Sequence, residues 1–262
     1  MGCNAKIKDG SYVFFKNIDR FIKNDERDIG DDPHAKSSNG CTSFSTLYKS
    51  KNANIAKDIC EEFTKLYRSL SPSNVNPTSD INYKNDCGFL NFWINSKFRE
   101  SGFNGTTCIK DFFEGMEMHC LDTFPVGSPL DFIYDINEDD LIKMNKLYKL
   151  HEKRRRIEDI LTNQPDMQPN ISLTLNKELL ADYRTFRSKC NGNDNDFCKS
   201  LQDFKERYEK LYSIFQGKGE EYSKYFTHLT EEGNNDIILT PLLGSTAGLI
   251  PLLGILYKVI EL

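Results

Sequence analysis

Apolar side chains recur at steps of three and four along most of this chain, the period that lines one face of an α-helix. In NANIAKDICEEFTKLYRSL the stripe is Ile55, Ile59, Phe63, Leu66 and Leu70, and the polar run SPSNVNP ends it. A second stretch, DCGFLNFWINSKFRES, carries Leu90, Trp93, Ile94 and Phe98 on one side. A third, TTCIKDFFEGMEMHCL, carries Ile109, Phe112, Phe113, Met116 and Cys120. The longest is NEDDLIKMNKLYKLHEKRRRIEDILTNQP, about 35–40 Å at 1.5 Å per residue. Asn137 opens it as N-cap, and Glu138, Asp139 and Asp140 set negative charge at the positive end of the helix dipole. Its stripe is Met144, Leu147, Leu150, Ile157 and Leu161, with the Arg154 stem filling the missing place; Pro165 stops it. The last helix alternates Phe197, Leu201, Phe204, Tyr208, Leu211 and Phe215, and Gly217 terminates it.

No run alternates apolar and polar residues with β-branched enrichment, so the pattern predicts an all-α protein, an irregular helical bundle. Long polar loops are expected at 24–43, 71–86 and 163–172. The pattern changes at 237–257, where twenty-one residues pass without a charge, the length of a membrane-spanning helix. The alternative there is a buried C-terminal core helix. The expected organisation is a helical, cysteine-containing extramembrane domain over 1–236, a single transmembrane helix over 237–257 and a short cytoplasmic tail over 258–262. Gly244 and Gly248 form a GxxxG step suited to packing against another span, flanked by Pro241 and Pro251.

Composition narrows the function classes. The chain has 262 residues, of which 38% are apolar and 28% charged, too polar for a protein that crosses the membrane many times. Its aromatic content of 12% exceeds that of disordered chains. A net charge of −5 argues against a nucleic-acid partner, and the run KRRR at 153–156 reads as a solvated helix face. The four histidines, His34, His119, His151 and His228, have no metal-ligand spacing, and His119 beside Cys120 reads as helix surface or core edge. GKGEEYSK at 217–224 lacks the phosphate-loop spacing and reads as a helix cap and turn. The residues therefore point to no enzyme, no cofactor and no small-molecule substrate.

The eight cysteines, Cys3, Cys41, Cys60, Cys87, Cys108, Cys120, Cys190 and Cys198, form no CxxC pair. An even number on a polar chain suits disulfides made in an oxidising compartment; the alternative is eight reduced thiols in a cytosolic protein. In CNGNDNDFC a polar turn between two helical patterns brings Cys190 and Cys198 within bonding reach. The other six allow 15 connectivities. Cys108 and Cys120 do not pair if one continuous helix separates them by about 18 Å. The first fifteen residues hold no apolar run of signal-peptide type, and the opening Met-Gly-Cys is a lipidation pattern that Lys6 interrupts. Sequons at Asn104 and Asn170 are N-glycan acceptors in a secretory setting.

The segment CGFLNFWIN at 87–95 resembles the Cys-x-Tyr-Leu-Asn-Tyr-Trp-Leu pattern of the Plasmodium interspersed repeat proteins, whose vivax branch is called VIR. The residues that carry it are Cys87, Leu90, Asn91, Phe92 and Trp93, with Phe89 in the place of the first tyrosine. LYKLHEKRRRIEDI at 147–160 is similar to the family's long-helix segment, and ILYKVIEL to its exit from the membrane helix. The similarity runs over roughly residues 3–260. The resemblance implies a helical variant antigen of a malaria parasite, exported in infected red cells to the host-cell membrane or surface, that serves antigenic variation and immune evasion. Its implied partners are antibodies and a host cell-surface receptor. Longer members continue into a tail with a Pro-x-Gly-Ser-Trp-like motif, whereas only 258–262 follow the span here, which puts tail-dependent anchoring in doubt. A reading from a different class is an intracellular scaffold or trafficking protein, anchored by its tail in an internal parasite or vesicle membrane.

Overall fold

Eight α-helices, all read from a computed structural model, account for most of the described residues, which are 3–26, 37–48, 51–70, 81–103, 107–124, 132–163, 169–190, 195–217 and 229. A 3-10 turn at Val13–Asn17 runs into α1 (Ile18–Glu26). Then come α2 (Gly40–Ser45), α3 (Lys51–Leu70), α4 (Ile81–Glu100) and α5 (Ile109–His119). The chain continues through α6 (Glu138–Asn163), α7 (Pro169–Arg187), a 3-10 turn at Ser188–Cys190 and α8 (Asp196–Gln216). No strand occurs among the described residues.

The stripes explain why these segments are helices and which face each buries. In α6, Met144, Leu147, Leu150, Ile157 and Leu161 all lie in the core, and Arg154 stands in the stripe at 4% exposure. Asn137 accepts a hydrogen bond from the Asp140 amide (3.0 Å) and donates from its side chain to the Asp140 carboxylate (2.7 Å), closing the helix start from both directions. Phe197, Leu201, Phe204, Tyr208 and Leu211 of α8 are likewise buried, as are Ile59, Phe63, Leu66 and Leu70 of α3.

Helix α4 departs from a one-sided stripe. It packs against α3, α5, α6 and the first 3-10 turn, so it is buried nearly all round. Leu90 and Ile94 lie in the core, and so do Phe89 and Phe92 on its other faces. Phe89 stacks on Phe21 (4.4 Å between centroids) and Phe92 on Phe14 (5.2 Å), which draws the N-terminal segment into the core. Phe14, Phe15, Ile18, Phe21 and Ile22 are all buried.

Three expected loops are corrected at their edges. α1 reaches Glu26 and α2 starts at Gly40, inside 24–43; α4 starts at Ile81, inside 71–86; α7 starts at Pro169, inside 163–172. The physical reasons are local. Proline is at home in a helix's first position, where its missing N–H has no partner to lose, and α4 gains so much burial that its polar first turn is carried along. Among the described residues no helix is long and apolar enough to cross a membrane. The predicted span at 237–257, with Gly244 and Gly248, and the tail at 258–262 lie outside the described residues.

Candidate functional site

Two buried asparagines one helical turn apart organise the centre of the domain. Asn91 accepts a hydrogen bond from the Tyr134 amide (3.0 Å), and Asn95 accepts one from the Ile136 amide (3.0 Å). The Asn95 amide group donates to the Tyr134 carbonyl (3.0 Å) and to the Asn91 carbonyl (2.8 Å). An extended segment before α6 is thereby held as a neighbouring strand would hold it, but by side chains on a helix. The neighbouring Asp135 accepts from the amides of Ile109 (2.8 Å) and Lys110 (3.3 Å) and caps α5, which the N-cap residue Cys108 leaves without a side-chain bond. The Lys6 amide donates to the Asp135 carbonyl (2.9 Å), so the N-terminal strand of chain lies against the same segment.

The family-like residues take different places. Leu90 and Phe92 are core, and Asn91 belongs to the clasp just described. Trp93 is half-buried against Phe63, with the Lys97 ammonium 5.8 Å from its ring centre. Cys87 is buried with no disulfide.

Six of the eight cysteines are bonded. Cys3 pairs with Cys108, Cys41 with Cys60 and Cys190 with Cys198, at Cα separations of 5.3, 5.5 and 5.6 Å. Cys87 and Cys120 are in no disulfide, which corrects the expectation for these two of the eight disulfide candidates. Cys120 ends α5, and its Sγ lies 3.5 Å from Cys60 Sγ and 4.0 Å from Cys41 Sγ. Gly40 permits this approach: a Cβ there would stand 2.0 Å from the His119 carbonyl oxygen. Beside the sulfurs, Asp122 accepts from the Ser38 hydroxyl, the Asn39 amide (3.3 Å) and Arg68 (3.1 Å). Burial would raise the Asp122 pKa, but these donors outweigh it and hold the carboxyl below its usual range. Burial pushes the Cys120 thiol up; a Ser38 hydrogen bond and the Arg68 charge oppose that, and Asp122 adds to it.

At the other end, a cleft of about 520 Å³ opens between the first 3-10 turn, α1, α6 and α8. Asp19 bridges two arginines there, meeting Arg154 on one oxygen and Arg207 (2.8 Å) on the other. Arg154 also holds Glu158 (2.9 Å), one turn along α6. Behind them His151 is 1% exposed, set between the rings of Phe15 and Phe204, and neither ring nitrogen has a hydrogen-bond partner among the described residues. Burial first, then the charges of Arg154 and Arg207, push its pKa well below 6.5, so it is neutral in the folded protein.

Sequence reasoning placed Arg154 in the α6 stripe but missed its ion pairs, because Asp19 and Arg207 are remote in the chain. It missed the asparagine clasp although the i, i+4 spacing of Asn91 and Asn95 is visible. No family model matches the chain, and no curated protein or solved structure matches it.

Proposed function

We propose that this chain carries the disulfide-braced helical domain of a single-pass variant antigen, of the kind its 87–95 segment resembles. Its work is interaction and variation, not catalysis, with the segments that connect the helices as the surface offered to antibodies and a host receptor. The observation that supports this reading is the set of three disulfides, Cys3–Cys108, Cys41–Cys60 and Cys190–Cys198, on a polar helical domain. Such bonds persist in oxidising compartments and are rare in the cytosol. The apolar stretch at 237–257 is the proposed anchor.

The test is protease accessibility of the epitope-tagged protein on intact and permeabilised infected cells. Cleavage from outside intact cells is expected, with a non-reduced peptide map that retains the three bonds. Protection until permeabilisation, with alkylatable thiols at Cys3 and Cys108, would instead place the domain on the cytosolic side of an internal membrane.

A further inference from the structure

Three sulfurs from three elements meet in the core: Cys41 on α2, Cys60 on α3 and Cys120 at the end of α5, each 0% exposed. Only two are bonded to each other, and the third, a thiol, touches the bond. Tight backbone contact at Gly40 holds α2 against the end of α5, so the third sulfur cannot be counted a chance neighbour at a loose surface.

We propose that Cys41, Cys60 and Cys120 form a thiol–disulfide exchange relay, in which Cys120 displaces Cys41 from Cys60. The Cys120 thiol gives up its proton and its sulfur attacks Cys60 Sγ. The Cys60–Cys120 bond forms as the Cys41–Cys60 bond breaks, and the electron pair leaves on Cys41 Sγ, which takes up a proton. One disulfide and one thiol exist before and after, so no oxidant or reductant is consumed. Cys60 offers the nearer sulfur, 3.5 Å against 4.0 Å, and because Cys120 meets the Cys41–Cys60 bond side-on, its side chain must turn into line with that bond to attack. Burial and the Asp122 carboxylate oppose the attacking thiolate and the Arg68 charge favours it, and the Thr64 hydroxyl lies 3.9 Å from the departing Cys41 sulfur. The outcome is mechanical. A bond between residues 19 apart that tethers α2 to α3 becomes one between residues 60 apart that ties α3 to the end of α5, and α2 loses its covalent tie to α3.

The full oxidised chain, held under native conditions with N-ethylmaleimide at pH 7, 8 and 9, then acid-quenched and peptide-mapped without reduction, tests this. The expected product has the label on Cys41 and a Cys60–Cys120 bond, and forms about tenfold faster per pH unit while the thiol stays mostly protonated. Cys120→Ser should abolish labelling of Cys41 while Cys41–Cys60 persists. In folded Cys41→Ser, oxidation should join Cys60 to Cys120. Label on Cys120 with Cys41–Cys60 intact would overturn the proposal. So would a Cys41 that stays unlabelled after a day at pH 9, or two free thiols in folded Cys41→Ser.

Discussion

The two ends of this domain are held together by different chemistry. Around α2, α3 and α5 the chain uses sulfur and phenylalanine: the Cys41–Cys60 bond, and Phe44, Phe63, Phe112 and Phe113 in mutual ring contact or on shared neighbours. Around α1, α6 and α8 it uses charge, with Asp19 between two arginines and an uncharged histidine behind them. Length bears on the contrast between α2 and α5 at one end and α6 and α8 at the other. α2 has 6 residues and α5 has 11, too few for a helix to persist without outside support. α6 and α8 have 26 and 21, and their stripes bury enough to carry the desolvation of Arg154 and His151. The short α2 is held by a covalent bond to α3, and the long α6 bears buried polar groups.

The largest test of that contrast removes a bond. Cys3→Ala with Cys108→Ala opens a link between residues 105 apart and should cost about 4.7 kcal/mol, through the entropy returned to the unfolded chain. Opening Cys190–Cys198, only 8 apart, should cost less, about 2–3 kcal/mol on the same account. Urea unfolding without reductant measures both, and equal losses would mean that loop length does not govern them. At the charged end, Asp19→Ala leaves Arg154 with Glu158 alone and Arg207 without its carboxylate, and should destabilise by about 2–3 kcal/mol. The loss should largely survive in 1 M salt, because Arg154 is buried; a loss that vanishes in salt would make the pair a surface one.

The smallest effect is an acid one. The folded pKa of His151 is depressed below its unfolded value near 6.5, so the stability tied to its neutral form is present above that pH. It should fall as pH drops from about 6.5 toward the folded pKa, by at most about 2 kcal/mol at pH 5, since each pH unit is worth about 1.4 kcal/mol. The groups facing the ring include Arg154 of α6 and Arg207 of α8. His151→Phe should flatten the dependence between pH 7 and pH 5, as read from urea midpoints; an unchanged slope would assign it to other groups.

What could be read in advance follows from the range of each interaction. The stripes of α3, α5, α6 and α8 are local patterns, and the Cys190–Cys198 bond joins residues only 8 apart, so neighbouring residues carry both. The N-terminal stripe, Phe14, Ile18, Phe21 and Ile22, has helical spacing too, but its short polar flanks hide it. α4 was legible on one side only, because a helix buried on all faces has no polar side to mark its orientation. Cys3 with Cys108, and Asp19 with Arg207, are fixed by tertiary packing alone, and no local pattern announces them.

The asparagine clasp has a consequence for how this sequence can change. Asn91 and Asn95 hold residues 134 and 136 by main-chain atoms only, so their grip is blind to the side chains of the segment they hold. Proline, without an amide hydrogen, is the one residue that could not make these main-chain bonds. The clasp thus fixes the main chain of this strip, while its side chains answer to other demands, Ile136 to the core that buries it and Asp135 to the helix end it caps.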